Sequence, residues 1–339
     1  MDPIRLPPIY CPFPSNINPW VQEAHAHTLD WAQQYRLVRK EAALHRFAAS
    51  RFTWLAARAY PTAAQAELEV VNDWLTWLFM FDDQFDEGLI GGRPERLVAL
   101  LESYAALFTA AEPGPGQSPA AAALVDLCRR TRSQMPGTWW ARFASHFSQY
   151  LSTYPWSVGN TARGVVPALV EYFERRRHSG GMYPAIDLIE FVLHRELPQK
   201  LLGGSHFPLL SRLTNDVVCW SNDIFSLEKE LARGDVNNLI LVVERVQRIP
   251  LQEAVDQVGA MISSSVELFE QVERALPTFP ADLEDAVQHY LSMLRAWMRG
   301  NLDWSIETGR YSQVERTAPG GVASYIEPIA AAATSLASE

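Results

Sequence analysis

The stretch at residues 78–87 reads LFMFDDQFDE and joins an apolar run to a cluster of carboxylates. Leu78, Asp82 and Asp86 follow one another in steps of four, so they share one helical face. Asp83 and Asp86 are three residues apart, which also lets their carboxylates converge. Clustered carboxylates repel one another, and a hard cation such as Mg²⁺ relieves that repulsion. The pattern predicts a metal-binding helix end, with a solvated acidic helix end as the ordinary alternative.

The composition of the chain excludes several classes of partner. Its formal net charge of -10 argues against nucleic acid and against an anionic membrane surface as a partner. No run of 18 uncharged apolar residues and no secretory signal pattern occur, so we expect no stable membrane anchoring. The 3 cysteines lie far apart and form no CxxC pair. These features together predict a soluble, cytoplasmic protein.

The periodicity of apolar residues predicts an all-α protein. Alternating β-branched runs between tight turns are nearly absent. Besides the helical regions that precede residue 87, helical patterns occur at about 119–134, 138–154, 162–178, 183–195, 206–232, 236–248, 251–275 and 281–309. We predict a Pro-rich N-terminal segment at 1–18, one helical domain at 19–312, and a flexible tail at 313–339.

A second polar motif interrupts an apolar helical pattern at residues 222–230, which read NDIFSLEKE. Asn222, Ser226 and Glu230 are separated by steps of four, so their oxygens lie along one helical face. An amide, a hydroxyl and a carboxylate oxygen are ligands that Mg²⁺ accepts. The alternative is a solvent-facing polar stripe. The apolar neighbours of these residues favour a largely buried helix, in which such polar groups need a partner.

The two motifs together resemble those of bacterial class I terpene synthases. Residues 82–86 are similar to the aspartate-rich DDxxD motif of that family, and residues 222–230 are similar to its NDxxSxxKE triad. The resemblance implies a single-domain helical bundle with a central apolar cavity, and 3 Mg²⁺ ions bound with diphosphate. The metal ligands that it implies are Asp82, Asp83, Asp86, Asn222, Ser226 and Glu230.

An arginine cluster extends the resemblance. The family carries a diphosphate-sensing arginine 46 positions before the triad Asn, and Arg176 stands at that distance from Asn222. A guanidinium group binds diphosphate oxygens better than an ammonium group does. Because successive helical residues point about 100° apart, only one residue of the run 175–177 can face the site squarely. The alternative is an ordinary basic helix end, which the helix dipole favours.

Further residues take family roles by position. Gly180 matches the effector position, and Ser179 stands at the linker position, where the family frequently has Asp. Arg310 and Tyr311 match an Arg-Tyr pair that the family carries about 80 residues after the triad. The resemblance implies that Arg176, Lys229 and Arg310 bind the diphosphate. The departure at Ser179 leaves its role as linker open.

The apolar face below the aspartates fits a hydrocarbon substrate. Phe79 lies about one helical turn before Asp82, and Trp304 lies shortly before the Arg-Tyr pair, where the family often places a cavity aromatic. Aromatic faces stabilise carbocations, and an apolar cavity excludes water. Because the chain has 37 aromatic residues, ordinary core packing remains the alternative for either one.

The resemblance implies a magnesium-dependent enzyme that ionises an acyclic prenyl diphosphate and cyclises the carbocation. Farnesyl diphosphate is the expected substrate, and the product is a sesquiterpene hydrocarbon or alcohol. Geranylgeranyl diphosphate, which would make the enzyme a diterpene synthase, and geranyl diphosphate are alternatives. A trans-prenyltransferase requires a second aspartate-rich motif, which residues 222–230 do not supply. A non-catalytic helical scaffold is the alternative from another class. We expect a monomer or a homodimer.

Overall fold

The computed structural model describes residues 4–39, 41–86, 94–109 and 118–311. Helices, their connections and a non-helical N-terminal segment make up these residues, and no strand occurs among them, which confirms the all-α prediction. The helices are α1 (Val21–Gln34), α2 (Glu41–Ser50), α3 (Phe52–Ala59), α4 (Gln65–Asp86), α5 (Pro94–Ala106), α6 (Pro119–Arg132), α7 (Gly137–Ser152), α8 (Tyr154–Arg163), α9 (Leu169–Ser179), α10 (Met182–Val192), α11 (Gln199–Leu202), α12 (His206–Arg233), α13 (Leu239–Gln247), α14 (Leu251–Arg274) and α15 (Ala281–Glu307). A 3₁₀ turn follows at Gly309–Tyr311.

Five helices form a closed ring at the centre of the bundle. α4 packs against α3 and α10, α12 packs against α10 and α15, and α15 packs against α3. α4 is apolar on nearly every side, and Trp74, Trp77 and Phe81 are almost completely buried. A helix with this composition is expected in the core. The ring therefore brings the polar ends of α4 and α12 towards a common space.

The sequence-based prediction for 162–178 was wrong at its start. A separate helix occupies Tyr154–Arg163, and the following helix begins only at Leu169. Pro155 and Gly159 conceal the first of these helices in the sequence, because both residues weaken a helical pattern. Pro155 is nevertheless tolerated, since it lies in the first turn, where its missing N–H has no intrahelical partner.

The N-terminal segment runs across the bundle surface. Residues 4–18 contain no helix, and their hydrogen bonds reach α12, α14, α15 and α3. The backbone N–H of Ile4 donates to Glu228 (3.3 Å), and that of Tyr10 donates to the hydroxyl of Ser263 (3.0 Å). Backbone N–H groups of the segment thus bond to side chains of two helices.

The predicted tail at 313–339 lies outside the described residues. The division into 1–18, 19–312 and 313–339 therefore stays a prediction. Within the part of the chain that the structure describes, no helix combines the length and the apolar character needed to cross a bilayer.

The close contact between α3 and α15 requires a glycine at position 300. A Cβ atom at Gly300 would lie 2.7 Å from the Cβ of Arg58 and 3.0 Å from its carbonyl carbon. We expect Gly300→Ala to push the two helices apart and to lower the free energy of unfolding by about 1–3 kcal/mol. Urea denaturation followed by circular dichroism measures this loss.

Gly137→Ala is the matched control, because a Cβ atom there meets nothing within 4 Å. Its stability should equal or slightly exceed that of the wild type, since alanine favours a helix over glycine. Equal losses in the two variants would contradict the proposed close contact.

Candidate active site

A pocket opens between the polar ends of α4 and α12, and we call it the inner pocket. It encloses about 910 Å³ of empty space, including open solvent at its mouth. Its polar lining includes Asp82, Arg176, Ser179, Asn222, Ser226, Lys229, Glu230, Arg310 and Tyr311.

The first two aspartates of the first motif point in different directions. Asp82 lines the inner pocket and accepts a hydrogen bond from the hydroxyl of Tyr154 (3.1 Å). Asp83 is only 1% exposed and faces away from the pocket, as the 100° step between neighbouring helical residues requires. The side chain of Asp86 lies outside the described residues. Of the described aspartates in this motif, Asp82 is therefore the one that faces the site.

Asp83 forms a buried ion pair with Arg310. Two guanidinium nitrogens of Arg310 donate to the two carboxylate oxygens at 2.7 and 2.8 Å. Lys229 (3.8 Å) and Arg46 (3.9 Å) add further positive charge. Burial by itself raises the pKa of Asp83, but these cations outweigh it and hold that pKa well below its usual range. The assignment of Asp83 as a metal ligand stays a prediction, since Arg310 here holds both of its oxygens.

The second motif presents its three polar residues to the pocket from one face of α12. Asn222, Ser226 and Glu230 all line the inner pocket. The amide oxygen of Asn222 accepts from Arg176 (2.8 Å), and the hydroxyl of Ser226 donates to the carbonyl of Asn222 (2.7 Å). The carboxylate of Glu230 accepts from Asn238 (2.8 Å). The three side chains thus lie along one face of α12, as their four-residue spacing predicts.

The donor set fits a hard divalent cation. Burial, together with the nearby carboxylates of Asp235 and Asp223, raises the pKa of Glu230 to about 8. A carboxyl group in such surroundings gains from a cation that keeps it ionised. The oxygens of Asn222, Ser226 and Glu230 on one side of the pocket are ligands of the kind that Mg²⁺ prefers.

Arg176 is the arginine of its cluster that faces the pocket. Its guanidinium donates to Asn222 (2.8 Å) and to Asp223 (2.7 Å), while its Nε donates to no acceptor. Arg177 instead binds Asp216 through two nitrogens, and Arg175 is exposed. A largely buried guanidinium with an unused donor fits an anionic ligand.

Gly180 lies directly against α12. A Cβ atom at this position would lie 2.2 Å from the Sγ of Cys219, so no larger residue fits without movement of the thiol or of α12. The backbone carbonyl of Cys219 also accepts from Arg176 (3.2 Å). Ser179 lines the pocket, and its hydroxyl reaches the carbonyl of Arg176 only at 3.5 Å. The break between α9 and α10 is therefore packed against the helix that carries Asn222.

The C-terminal Arg-Tyr pair touches both motifs. Arg310 holds Asp83, and the hydroxyl of Tyr311 accepts from the side-chain amide of Asn222 (2.7 Å). The ring of Tyr311 packs on Phe225, with 6.2 Å between the ring centroids. Burial raises the pKa of Tyr311 to about 12, so its hydroxyl stays protonated at neutral pH.

The other side of the inner pocket is apolar. Phe79 stacks on Phe52 (4.5 Å between centroids) and packs against Trp304 (5.5 Å). The indole N–H of Trp304 donates to backbone carbonyls of α2 and the following residue, which turns its ring towards the pocket. Further apolar lining comes from Leu55, Leu75, Leu78, Met182, Ala185, Val218 and Trp297. Both aromatic residues named from the sequence thus line the pocket.

Comparison with known proteins identifies the family. A sequence profile described as "Terpene synthase family 2, C-terminal metal binding" matches residues 73–267, which is more than half of the chain and contains both motifs. The chain belongs to this terpene synthase family. The matched range includes all of α12 and most of α4, the two helices on which the pocket is built.

Characterised relatives extend the similarity of this terpene synthase over nearly its full length. Germacrene A synthase of Nostoc punctiforme is 36% identical over 316 residues, covering 93% of this chain and 98% of its own. A (+)-T-muurolol synthase of Roseiflexus castenholzii, named as "(2E,6E)-farnesyl diphosphate cyclizing", is 33% identical over 306 residues, with coverages of 90% and 94%. The crystal structure of germacradien-4-ol synthase from Streptomyces citricolor matches with a TM-score of 0.79 at 27% identity, covering 91% and 99% of the two chains.

The structure of the synthase adds residues that its sequence pattern did not indicate. Tyr154 contacts Asp82, and Asn238 contacts Glu230, so each adjoins a predicted metal ligand. Asn238 could have been noticed as a helix N-cap before Leu239. Tyr154 could not have been recognised, because nothing in the sequence around it distinguishes it from the other tyrosines. Cys219 also lines the pocket.

The different surroundings of Asp82 and Asp83 predict different effects of the same substitution. We expect Asp83→Asn to lower the free energy of unfolding by roughly 3 kcal/mol, because it leaves the buried charge of Arg310 without its counter-ion. Asp82→Asn should cost less than about 1 kcal/mol, since this side chain is only partly buried. Urea denaturation at pH 7 measures both values.

The stability difference between wild type and Asp83→Asn should shrink in acid. The pKa of Asp83 is lower in the folded protein than in the unfolded chain, so its carboxylate stabilises the fold above about pH 4 and loses that effect as the pH falls further. Equal losses for Asp82→Asn and Asp83→Asn at pH 7 would contradict this assignment of roles.

Proposed function

We propose that this terpene synthase uses Mg²⁺ to ionise farnesyl diphosphate and cyclises the resulting carbocation to a sesquiterpene hydrocarbon or alcohol, releasing diphosphate. The observation that carries the proposal is the chemical division of the inner pocket. Two polar ligand sets face each other at one side, and an aromatic and aliphatic wall forms the other. A molecule with a charged head and a hydrocarbon chain matches this division.

The metal ions would be held by Asp82 from α4 and by Asn222, Ser226 and Glu230 from α12, with Asp86 as a further ligand expected from its spacing. When bound, the cations would neutralise the charge that develops on the diphosphate leaving group. Three ions are expected from the resemblance to class I synthases. The raised pKa of Glu230 supports a role in which a nearby cation keeps this carboxylate ionised.

The cationic side chains of the pocket would bind the diphosphate itself. Arg176 has a free Nε donor, and Arg310 is oriented by its bond to Asp83. Lys229 lies on the same side of the pocket. The hydroxyl of Tyr311 can donate to a diphosphate oxygen while it accepts from Asn222. These donors, fixed before the substrate arrives, would stabilise the leaving group as the C–O bond breaks.

The apolar wall would fold and protect the cation. Phe79 and Trp304 present ring faces to the pocket, and aromatic faces attract positive charge. The guanidinium of Arg310 already lies 5.1 Å from the ring centroid of Phe79, which places this ring at the boundary between the polar and apolar parts. A reactive carbon released at that boundary would meet aromatic rings before it meets water.

The proposed substrate rests on the relatives. A relative that aligns over 90% of this chain is named as cyclising (2E,6E)-farnesyl diphosphate, which supports a C15 substrate. Geranylgeranyl diphosphate, the substrate of a diterpene synthase, is the alternative. A non-catalytic scaffold is the alternative of another class, and it offers no reason for cations and ligand oxygens to converge in one pocket.

Incubation of the purified protein with Mg²⁺ and, separately, geranyl, farnesyl and geranylgeranyl diphosphate tests the proposal. We expect a cyclic C15 product from farnesyl diphosphate, detected by gas chromatography–mass spectrometry. A cyclic C20 product instead would favour the diterpene synthase. If no substrate is turned over and Mg²⁺ with diphosphate leaves the melting temperature unchanged, the scaffold is the better description.

The role of Glu230 can be tested with one substitution at two positions of α12. We expect Glu230→Gln to slow diphosphate release about 100-fold, because it removes a charged ligand from the site of developing charge. Glu228→Gln is the control, since Glu228 does not line the inner pocket and the side-chain amide oxygen of the glutamine can still accept from the backbone N–H of Ile4. Steady-state assays of released diphosphate measure both rates. Comparable rates in the two variants would remove Glu230 from the metal site.

A further inference from the structure

Helix α8 makes hydrogen bonds towards both metal-ligand sets, one group of bonds from each of its ends. Its first residue, Tyr154, is buried, and the Tyr154 hydroxyl donates to the carboxylate of Asp82 (3.1 Å). The hydroxyl of Tyr150 on α7 bonds to that of Tyr154, so a chain of hydroxyl groups leads to Asp82. The Tyr154 ring also packs edge-on against Phe81. The start of α8 is therefore attached to the end of α4.

The other end of α8 is attached to the connection between α12 and α13. The hydroxyl of Thr161 donates to Asp235 (2.8 Å). The side-chain amide of Asn160 donates to the amide oxygen of Asn237 (3.0 Å), and that of Asn237 donates to the backbone carbonyl of Ser157 (3.0 Å). Several short bonds from three residues of α8 thus hold two residues of this connection.

The next residue of the connection holds a predicted metal ligand. Asn238 is completely buried, and its side-chain amide donates both to the carboxylate of Glu230 (2.8 Å) and to the backbone carbonyl of Asp223 (2.7 Å). Its amide oxygen caps α13 by accepting from Ile240 (2.9 Å). Because all hydrogen-bonding positions of Asn238 point to fixed partners, a shift of the connection would be passed on to Glu230.

An outer pocket of about 1460 Å³, open to solvent, adjoins the inner pocket on this side. Its lining includes Asp82, Glu230 and both ends of α8. From Tyr154 to Thr161 the rise of an α-helix spans roughly 10 Å. A helix of this length resists compression, so the hydrogen-bonding side chains at its two ends keep a nearly fixed separation. Through these hydrogen bonds, the distance between Asp82 and Glu230 is therefore linked to the length of α8.

We propose that α8 is a spacer that sets the separation of the two metal-ligand sets, with Tyr154 and Asn237 as positioning residues at its two ends. This inference rests on the proposed function, since it concerns how the same metal ions are held. Residues that orient metal ligands through hydrogen bonds change metal affinity by about 10–100-fold when they are lost.

The test uses Tyr154→Phe, which removes one hydroxyl, and Asn237→Ala, which releases the connection from α8. Two quantities are measured on the full chain. One is the Mg²⁺ concentration that gives half-maximal diphosphate release, and the other is the rise in melting temperature caused by Mg²⁺ with inorganic diphosphate. The second needs no turnover. Thr161→Val serves in place of Asn237→Ala if that variant does not fold.

We expect each single variant to raise the half-saturating Mg²⁺ concentration about 10-fold and to reduce the shift in melting temperature. In the double variant the half-saturating Mg²⁺ concentration should also stay about 10-fold above that of the wild type. Once α8 is detached at one end, detaching the other changes little. Independent effects would instead multiply to about 100-fold.

Tyr104→Phe is the matched control. Tyr104 is also buried, also packs against Phe81, and loses a hydroxyl bond of the same kind, here to Ser118. Its half-saturating Mg²⁺ concentration should stay within about twofold of the wild type even if its stability falls.

Two results would overturn the spacer role while leaving the proposed function intact. They are an unchanged Mg²⁺ requirement in Tyr154→Phe, and a double variant at the product of the single effects. Wild-type protein that releases no diphosphate from any prenyl diphosphate would instead overturn the proposed function.

Discussion

The buried ion pair between Asp83 and Arg310 is the interaction on which the shape of the site depends. Removing two charges from water costs several kcal/mol for each, so such a pair persists only with good geometry and additional compensation. Here the geometry is bidentate, and Lys229 and Arg46 add positive charge around the same carboxylate. The pair ties the 3₁₀ turn after α15 to the end of α4. It also brings the neighbouring Tyr311 to Asn222 on α12.

One consequence is a division of labour between adjacent aspartates. Because helical neighbours point about 100° apart, Asp82 can face the pocket only if Asp83 faces elsewhere. The protein uses that second direction to hold Arg310, while Asp82 lines the pocket beside Tyr154. An acidic motif that looks uniform in the sequence thus contains one residue that organises the fold and another that faces the site.

The break between α9 and α10 packs closely against α12. Gly180 leaves room for the Sγ of Cys219 on α12. Arg176 contacts Asn222 and Asp223, which lie about one turn after Cys219 on the same helix. The break between α9 and α10 is thereby in direct contact with the helix that carries the second motif. Any movement of this break that follows ligand binding at Arg176 would therefore shift the side chain of Asn222.

The spacing of residues along the chain was enough to predict the all-α class and part of the pocket lining. Helical periodicity places Asn222, Ser226 and Glu230 on one face, and the four-residue step from Leu78 to Asp82 joins an apolar wall to a polar mouth. Such relations within one helix follow from a fixed rise and turn per residue, which the spacing alone contains. Only the tertiary structure decided that Asp83 binds Arg310, that Tyr154 contacts Asp82, and that Asn238 holds Glu230. These contacts join residues of different helices, and their distances depend on packing angles and side-chain directions that no local pattern encodes.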